Sequence, residues 1–281
     1  MRIEDLDSTR VREGAAAETI DLLQWLGTDW DEGPITQSRD LEPYRTAMQT
    51  LLDARKAFAC SLTRKQIELA ASAPHAGDGE IRFPPELRPY PTDARAFRFD
   101  RIDTNHRFIV AEERITINDR IAGTSVHDPA AECGDFIIWT KLGVPAYQLA
   151  VVVDDARQGV SDVVRGDDLL PSAARQTLVY RALDLNPPNW WHLPLVLSED
   201  GRRLAKRHGD THLESFRSAG VPPERVIGLL AAWSGVGDPN QPKPISALDF
   251  RARFHPDMLP RAPLNLPVRF TKEHLAWLIG G

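Results

Sequence analysis

Two charged stretches carry residue types and spacings that could do chemistry. The first is Gly201-Arg202-Arg203-Leu204-Ala205-Lys206-Arg207-His208-Gly209, which follows the apolar, strand-like segment Trp190 to Leu195. Clustered cations neutralise phosphate oxygens, and flanking glycines let the backbone approach, so the loop suits a polyphosphate. Taken alone, such a run is more often a solvated loop. The second stretch is Pro145 to Leu170. Its apolar run Leu149 to Val153 is short and Val-rich, and it predicts a buried parallel strand. Asp154 and Asp155 follow at once, then Gly159, Val163, Val164 and Arg165-Gly166. Charges at the carboxyl end of a buried strand lie where open α/β sheets bind ligands.

The elements that must position these residues follow from periodicity. Ser8-Thr9 offers a helix cap, Ala16, Ile20, Leu23 and Leu26 recur at helical spacing, and Gly27 is a stop. A second amphipathic helix is predicted over about 41–57, with Tyr44, Met48, Leu51 and Leu52 on one face. From Phe58 to Trp139 the pattern breaks up. Gly77, Gly79, Pro84, Pro85, Pro89 and Pro91 interrupt it, and short β-like runs follow at Ala96 to Phe99, Arg107 to Ala111 and Arg114 to Ile117. This predicts an α+β subdomain. Ala173 to Leu183 and Val226 to Trp233 read as helices, Ile245 to Leu248 caps another, and Phe270 to Glu273 enters a last one ending at Gly280.

The totals bound the class. The chain has 281 residues, 42% hydrophobic and 26% charged, with a formal charge of −6, which fits a soluble globular protein without an overall basic coat. Its two cysteines, Cys60 and Cys133, cannot make a zinc site alone and do not suggest a disulfide scaffold. No apolar run approaches the ~20 residues of a membrane span, and the charged start, MRIEDLDSTR, lacks the apolar core of a signal peptide. A cytoplasmic location is expected.

Together these segments resemble the class I aminoacyl-tRNA synthetases of the glutamyl subgroup. Arg2-Ile3-Glu4-Asp5-x-Asp7 is similar to the family's RIEDxD segment. Trp25-Leu26-Gly27, Trp30-Asp31-Glu32-Gly33-Pro34 and Gln37-Ser38 resemble its WLGxxWDEGP…QS stretch. Tyr147-x-Leu149-Ala150, Asp154-Asp155, Gly159 and Arg165-Gly166 resemble its YxLAxVVDDxxxGxxxVxRG signature. His192-Leu193-Pro194-Leu195 is similar to its HLPL strand, and Leu204-Ala205-Lys206-Arg207 stands in the place of its KMSKS loop. The matches run through almost the whole chain in the family's order.

The resemblance implies an α/β fold: a Rossmann-type catalytic domain with an inserted α+β subdomain and a C-terminal helical region. It divides the chain into 1–57 and 140–202 for the catalytic halves, 58–139 for the insertion, and 203–281 for the signature loop and a stem-contacting helical region. It implies that Glu4 holds the amino group of L-glutamate and that Tyr147 and Arg165 are the other glutamate contacts. An arginine suits a carboxylate because it can bind one bidentately. Lys206 is implied to contact ATP, brought with Mg2+, and to stabilise charge as the adenylate forms. Leu204, Ala205 and Arg207 lie beside it, with Ala205 replacing the usual Ser and Arg203 the first Lys. Each residue has a plainer role in isolation: Tyr147 as packing, Glu4 as a surface acid, Arg165 as a strand end. The implied partners are glutamate, ATP and tRNA, no membrane, and the implied state is a monomer.

Within the subgroup, the length and the segments Asp154-Asp155-Ala156 and Ala71 to His75 are closest to the shorter branch, whose members transfer glutamate to queuosine in the anticodon of tRNA(Asp). Two departures stand out. Family members often bind zinc in the insertion through three Cys and a Tyr, but here Cys60, Leu62, Phe83 and Leu87 stand at those positions, so no zinc is expected. The family also carries a strand, an Arg-bearing loop and a HIGH helix before its RIED segment. Here RIED begins at residue 2 and no HxGH string occurs. The resemblance thus implies an incomplete catalytic domain. Three alternatives stay open: a fragment of such an enzyme, a glutamate–tRNA ligase cut at both ends, and a non-catalytic paralogue that binds tRNA or a partner.

Overall fold

A computed structural model describes residues 1–7, 11–70, 81–100, 103–202, 204, 212–259 and 268–280. The chain divides into two units, neither continuous in sequence. One comprises Met1–Ile35, Ile121–Gly123 and Leu193–Gly281; the other comprises Thr36–Arg120 and Thr124–His192.

The first unit opens with β1 (Arg2–Ile3), α1 (Ala15–Trp25) and β2 (Ile35–Thr36), and β1 pairs with β2. Helix α1 stops at Gly27, whose φ of +76° is a left-handed conformation that glycine adopts without steric cost. Its start is not a Ser-Thr cap: the residue before the first turn is Gly14, and Ser8-Thr9 lies outside the described residues.

The second unit begins with α2 (Glu42–Asp53). Tyr44, Ala47, Met48, Leu51 and Leu52 repeat at helical spacing and are buried, as the periodicity predicts. Arg55 then takes a left-handed φ of +53°, and the helix ends at Asp53, short of the expected Ala57, which instead opens a strand. That strand, β3 (Ala57–Cys60), is followed by α3 (Arg64–Ala70) and β4 (Asn105–Phe108). The predicted strand at Ala96 to Phe99 is a 3-10 turn over Ala94–Phe97, because Asp93 accepts a bond from the Arg95 backbone N–H and folds the chain locally. Next come β5 (Ile115–Asp119), β6 (Gly123–His127), α4 (Pro129–Glu132) and β7 (Phe136–Trp139). Strands β3, β4 and β7 form one antiparallel sheet in that order, Phe58 opposite Arg107 and Phe108 opposite Phe136.

The run Leu149 to Val153 is not a strand. It lies within α5 (Tyr147–Arg157), in which Leu149 to Asp155 are all buried. Three consecutive valines favour extended backbone, but α2, α6 (Leu170–Ala182) and β7 all pack on this segment. A helix covered on every side is apolar all round, so it shows no helical periodicity to read. Gly159 closes α5 at φ +65°, with the Val160 N–H bonded to the Asp155 carbonyl. Then β8 (Asp162–Gly166) pairs with β9 (Asn189–Leu193).

The chain completes the first unit with β10 (Val196–Ser198), α7 (Leu213–Ser218), α8 (Pro223–Trp233), α9 (Ala247–Arg253), β11 (Val268–Phe270) and α10 (Lys272–Ile279). Strands β10 and β11 are parallel, Val196 opposite Val268. Leu26, which caps the end of α1, joins Phe216, Val226, Ile227, Leu229 and Leu278 in one core. Ser246 caps α9 through the Asp249 N–H, and Thr271 caps α10, both as expected from sequence.

Candidate active site

The residues expected to hold glutamate divide between the units. In the second unit, Tyr147 stands at the first turn of α5 and Arg165 near the end of β8. The structure brings these two together: Arg165 Nη1 donates to the Tyr147 hydroxyl at 3.4 Å. Tyr147 is 42% exposed, which leaves its ring available to a ligand.

Arg165 is held by neutral acceptors. Its Nη1 also donates to Gln176 Oε1 at 2.9 Å, its Nη2 to the Leu169 carbonyl at 3.2 Å, and its Nε to His192 Nε2 at 3.0 Å. The guanidinium lies 4.9 Å from the centre of the Trp190 ring. These four bonds use four of its five N–H groups. Burial pushes the Arg165 pKa below the usual arginine value, while Tyr147 and Asp155 pull it back up. An arginine keeps its charge throughout. Among the described residues no carboxylate hydrogen-bonds it, and one Nη2 N–H is left over after these four bonds.

Asp119 and Gln176 were not singled out from sequence, and His192 was read only as part of the HLPL strand. His192 sits on the buried face of β9 with Trp190, and Asp119 on the buried face of β5 with Ile115 and Ile117. His192 Nδ1 is 2.6 Å from Asp119 Oδ2, and both side chains are fully buried. The alternation Ile115, Ile117, Asp119 is the signal that could have placed the acid inside, since alternate strand residues share a face. Nothing in a single sequence pairs it with a histidine 73 positions away. Gln176 is buried on α6 by packing alone.

The two acids of the signature are inside the last turns of α5 rather than at a strand end. Asp154 accepts the Tyr44 hydroxyl at 2.6 Å and Gln37 Nε2 at 2.8 Å. It ties α2 to α5 and holds no position for a ligand. Next to Tyr147 opens a cavity of about 530 Å³, into which Arg64, Arg107 and Arg175 contribute from three different elements, with Asn105 and Gln148. Such a basic, open cavity suits a phosphate-bearing chain.

Glu4 lies in the first unit, exposed, its carboxylate bonded by Arg2 at 2.8 Å. Leu204 is half-buried and tied to Val196 by its backbone N–H at 3.3 Å. Lys206, Ala205 and Arg207 lie outside the described residues. The residues at the family's zinc positions do not fit the ion. Cys60 and Phe83 are buried in an apolar cluster with Phe58 and Ile67, and Leu62 and Leu87 pack against it. One thiol among hydrocarbons offers no tetrahedral donor set.

The family model of tRNA synthetases class I (E and Q), catalytic domain, matches residues 1–262. This chain belongs to that family. The synthetase chain is 42% identical to the glutamyl-Q tRNA(Asp) synthetase of Symbiobacterium thermophilum, over 100% of its own length and 88% of the relative's. It is 42% identical to the protein of the same description from Rhodopirellula baltica, over 84% of this chain and 74% of that one. The glutamate–tRNA ligase of a Synechococcus strain is 35% identical over 83% of this chain, which spans 51% of the ligase. Among solved structures, a glutamate tRNA ligase from Elizabethkingia meningosepticum in complex with its amino acid superposes with a TM-score of 0.78 at 24% identity, covering 99% of this chain and 61% of that one. That likeness places the α/β fold of the class I catalytic domain, and the expected fold class holds.

Proposed function

We propose that this chain belongs to the shorter, queuosine-modifying branch: it activates L-glutamate with ATP and transfers it to queuosine in the anticodon of tRNA(Asp). The observation that carries the proposal is Arg165, a part-buried cation whose bonds all go to neutral groups, beside the exposed Tyr147. A substrate carboxylate supplies a directly hydrogen-bonded counter-charge and takes the remaining Nη2 N–H. The relatives at 42% identity, named for this activity, support the same assignment.

In this proposal Glu4 leaves Arg2 to meet the substrate's ammonium group, and Lys206 with Leu204, Ala205 and Arg207 contacts the ATP phosphates brought with Mg2+. The arginine-lined cavity beside Tyr147 receives the nucleic-acid strand. Residues 1–57 and 140–202 act as the catalytic halves, 58–139 as the insertion and 203–281 as the loop and stem-contacting region. The protein works as a cytoplasmic monomer; among the described residues no helix is long and apolar enough to cross a membrane.

Glutamate-dependent ATP–pyrophosphate exchange tests the first step, and glutamylation of queuosine-containing tRNA(Asp) against tRNA(Glu) tests the second. Exchange together with transfer to tRNA(Asp) alone is expected. Transfer to tRNA(Glu) instead assigns the chain to the ligases, which it also resembles. Absence of exchange with retained tRNA binding assigns it a binding role.

A further inference from the structure

We infer that Asp119 and His192 are positioning residues for the carboxylate site: the buried pair fixes the imidazole tautomer that aims Arg165. This inference rests on Arg165 being a glutamate contact.

The geometry leaves one arrangement of protons. A neutral imidazole has one N–H and one acceptor nitrogen, whereas a guanidinium has donors only. Arg165 Nε lies 3.0 Å from His192 Nε2, so Nε2 is the acceptor and the ring proton sits on Nδ1. At Nδ1 stands the Asp119 carboxylate, 2.6 Å away, which accepts that proton's bond. Both carboxylate oxygens also accept the His192 backbone N–H at 3.1 Å, so the acid holds the ring and its backbone as one body. His192 and Asp119 have no exposed side-chain surface, and water has no access to substitute for either bond. Arg165 and Trp190 also face the ring, the Trp190 ring centre 6.2 Å away.

Remove the acid, and the ring is free to carry its proton on Nε2. An N–H would then face the Arg165 Nε–H, and the guanidinium would turn away. With the tautomer fixed, the Nε edge is committed to His192. The Nη edge is steadied by Gln176, Tyr147 and Leu169, and the remaining Nη2 N–H points to the substrate. Strand β5 thus controls, through β9, a contact carried by β8. The pair acts on binding through Arg165 and touches no reacting atom.

The test uses the full chain and two readouts: 15N–1H correlation of the imidazoles, and calorimetric titration with L-glutamate. Wild type is expected to show His192 as the Nδ1–H tautomer. Asp119→Asn, whose amide can donate to Nδ1, is expected to shift the ring to Nε2–H and to weaken glutamate binding about tenfold or more, with ATP affinity unchanged. His192→Ala is expected to weaken it similarly. His192→Gln, whose Oε1 can accept from Arg165, is expected to recover much of the loss, which a purely structural role would not produce. Melting curves of all variants separate unfolding from mispositioning, and the imidazole spectrum of wild type needs no variant at all. An Nε2–H ring in wild type, glutamate binding in Asp119→Asn equal to wild type, or Gln as weak as Ala at 192 each overturns the inference. A wild-type chain with the Nδ1–H ring that takes up no glutamate overturns instead the substrate assignment of Arg165.

Discussion

Asp154 and Arg165 carry opposite charges and opposite duties. Asp154 is 2% exposed and satisfied by Tyr44 and Gln37, so its carboxylate is a structural joint. Asp154→Ala removes the acceptor of a buried hydroxyl and a buried amide, and is expected to lower stability by about 3 kcal/mol. Urea denaturation reads this as a lower midpoint with unchanged slope; Tyr44→Phe, removing one neutral donor, is expected to cost about 1 kcal/mol. Arg165 is the reverse case, a cation held in place with unused capacity. Arg165→Lys keeps the charge but loses the fork that reaches His192, Gln176 and Leu169 together. It is expected to weaken glutamate binding at least about tenfold while the melting temperature holds within a few degrees. Equal affinity in calorimetry would remove Arg165 from the site. Tyr147 and Arg165, which the structure brings together at 3.4 Å, were singled out by the signature. Asp119 and Gln176 were not, and His192 was read only as part of a strand, because each looks ordinary until a distant element is laid beside it.

At the scale of elements, helices with one wet face were readable and the fully covered one was not. Helix α2 shows its apolar stripe because the opposite face is polar. Helix α5 has no stripe, and its valines misdirect toward a strand. Helix α10 was legible through its cap. Thr271 accepts the His274 N–H at 3.4 Å, and His274 Nδ1 accepts the Thr271 N–H at 3.1 Å, a reciprocal cap with His in place of the usual Glu or Gln. Thr271→Ala is expected to cost about 1 kcal/mol. The Thr271 hydroxyl also holds the Glu273 carboxyl below its ordinary value. A depressed carboxylate stabilises the folded state above its unfolded pKa, and that contribution is lost as pH falls through the folded value. In Thr271→Ala the Glu273 titration, followed by NMR, is expected to move up toward the ordinary range. No movement would show that the hydroxyl is not the cause.

At the scale of the whole molecule, the first unit is closed by residues from both ends of the chain. Leu26 at the end of α1 packs with Val226, Ile227 and Leu278 from α8 and α10. Leu26→Ala is expected to destabilise by about 3 kcal/mol and to speed amide exchange in α10 as well as in α1. Exchange confined to α1 would refute a shared core. In the second unit, hydrocarbon fills the family's zinc position. A strong chelator is therefore expected to leave the melting temperature unchanged, and a drop on chelation would reveal a metal that Cys60 and its neighbours do not account for.

The sequence by itself determined the family, the mixed α/β class, the stop of α1 and the caps of α9 and α10. Local patterns suffice for these, since caps are short-range and a signature is a string of types. Only the tertiary structure decided that Leu149 to Asp155 is a buried helix, and that Asp154 serves the core. It also placed Arg165 against His192 and Asp119, residues 27 and 73 positions apart along their respective pairings. The physical reason is common to all three. Burial on every side erases periodicity, and a hydrogen bond between strands depends on which faces meet, which no single stretch of sequence contains.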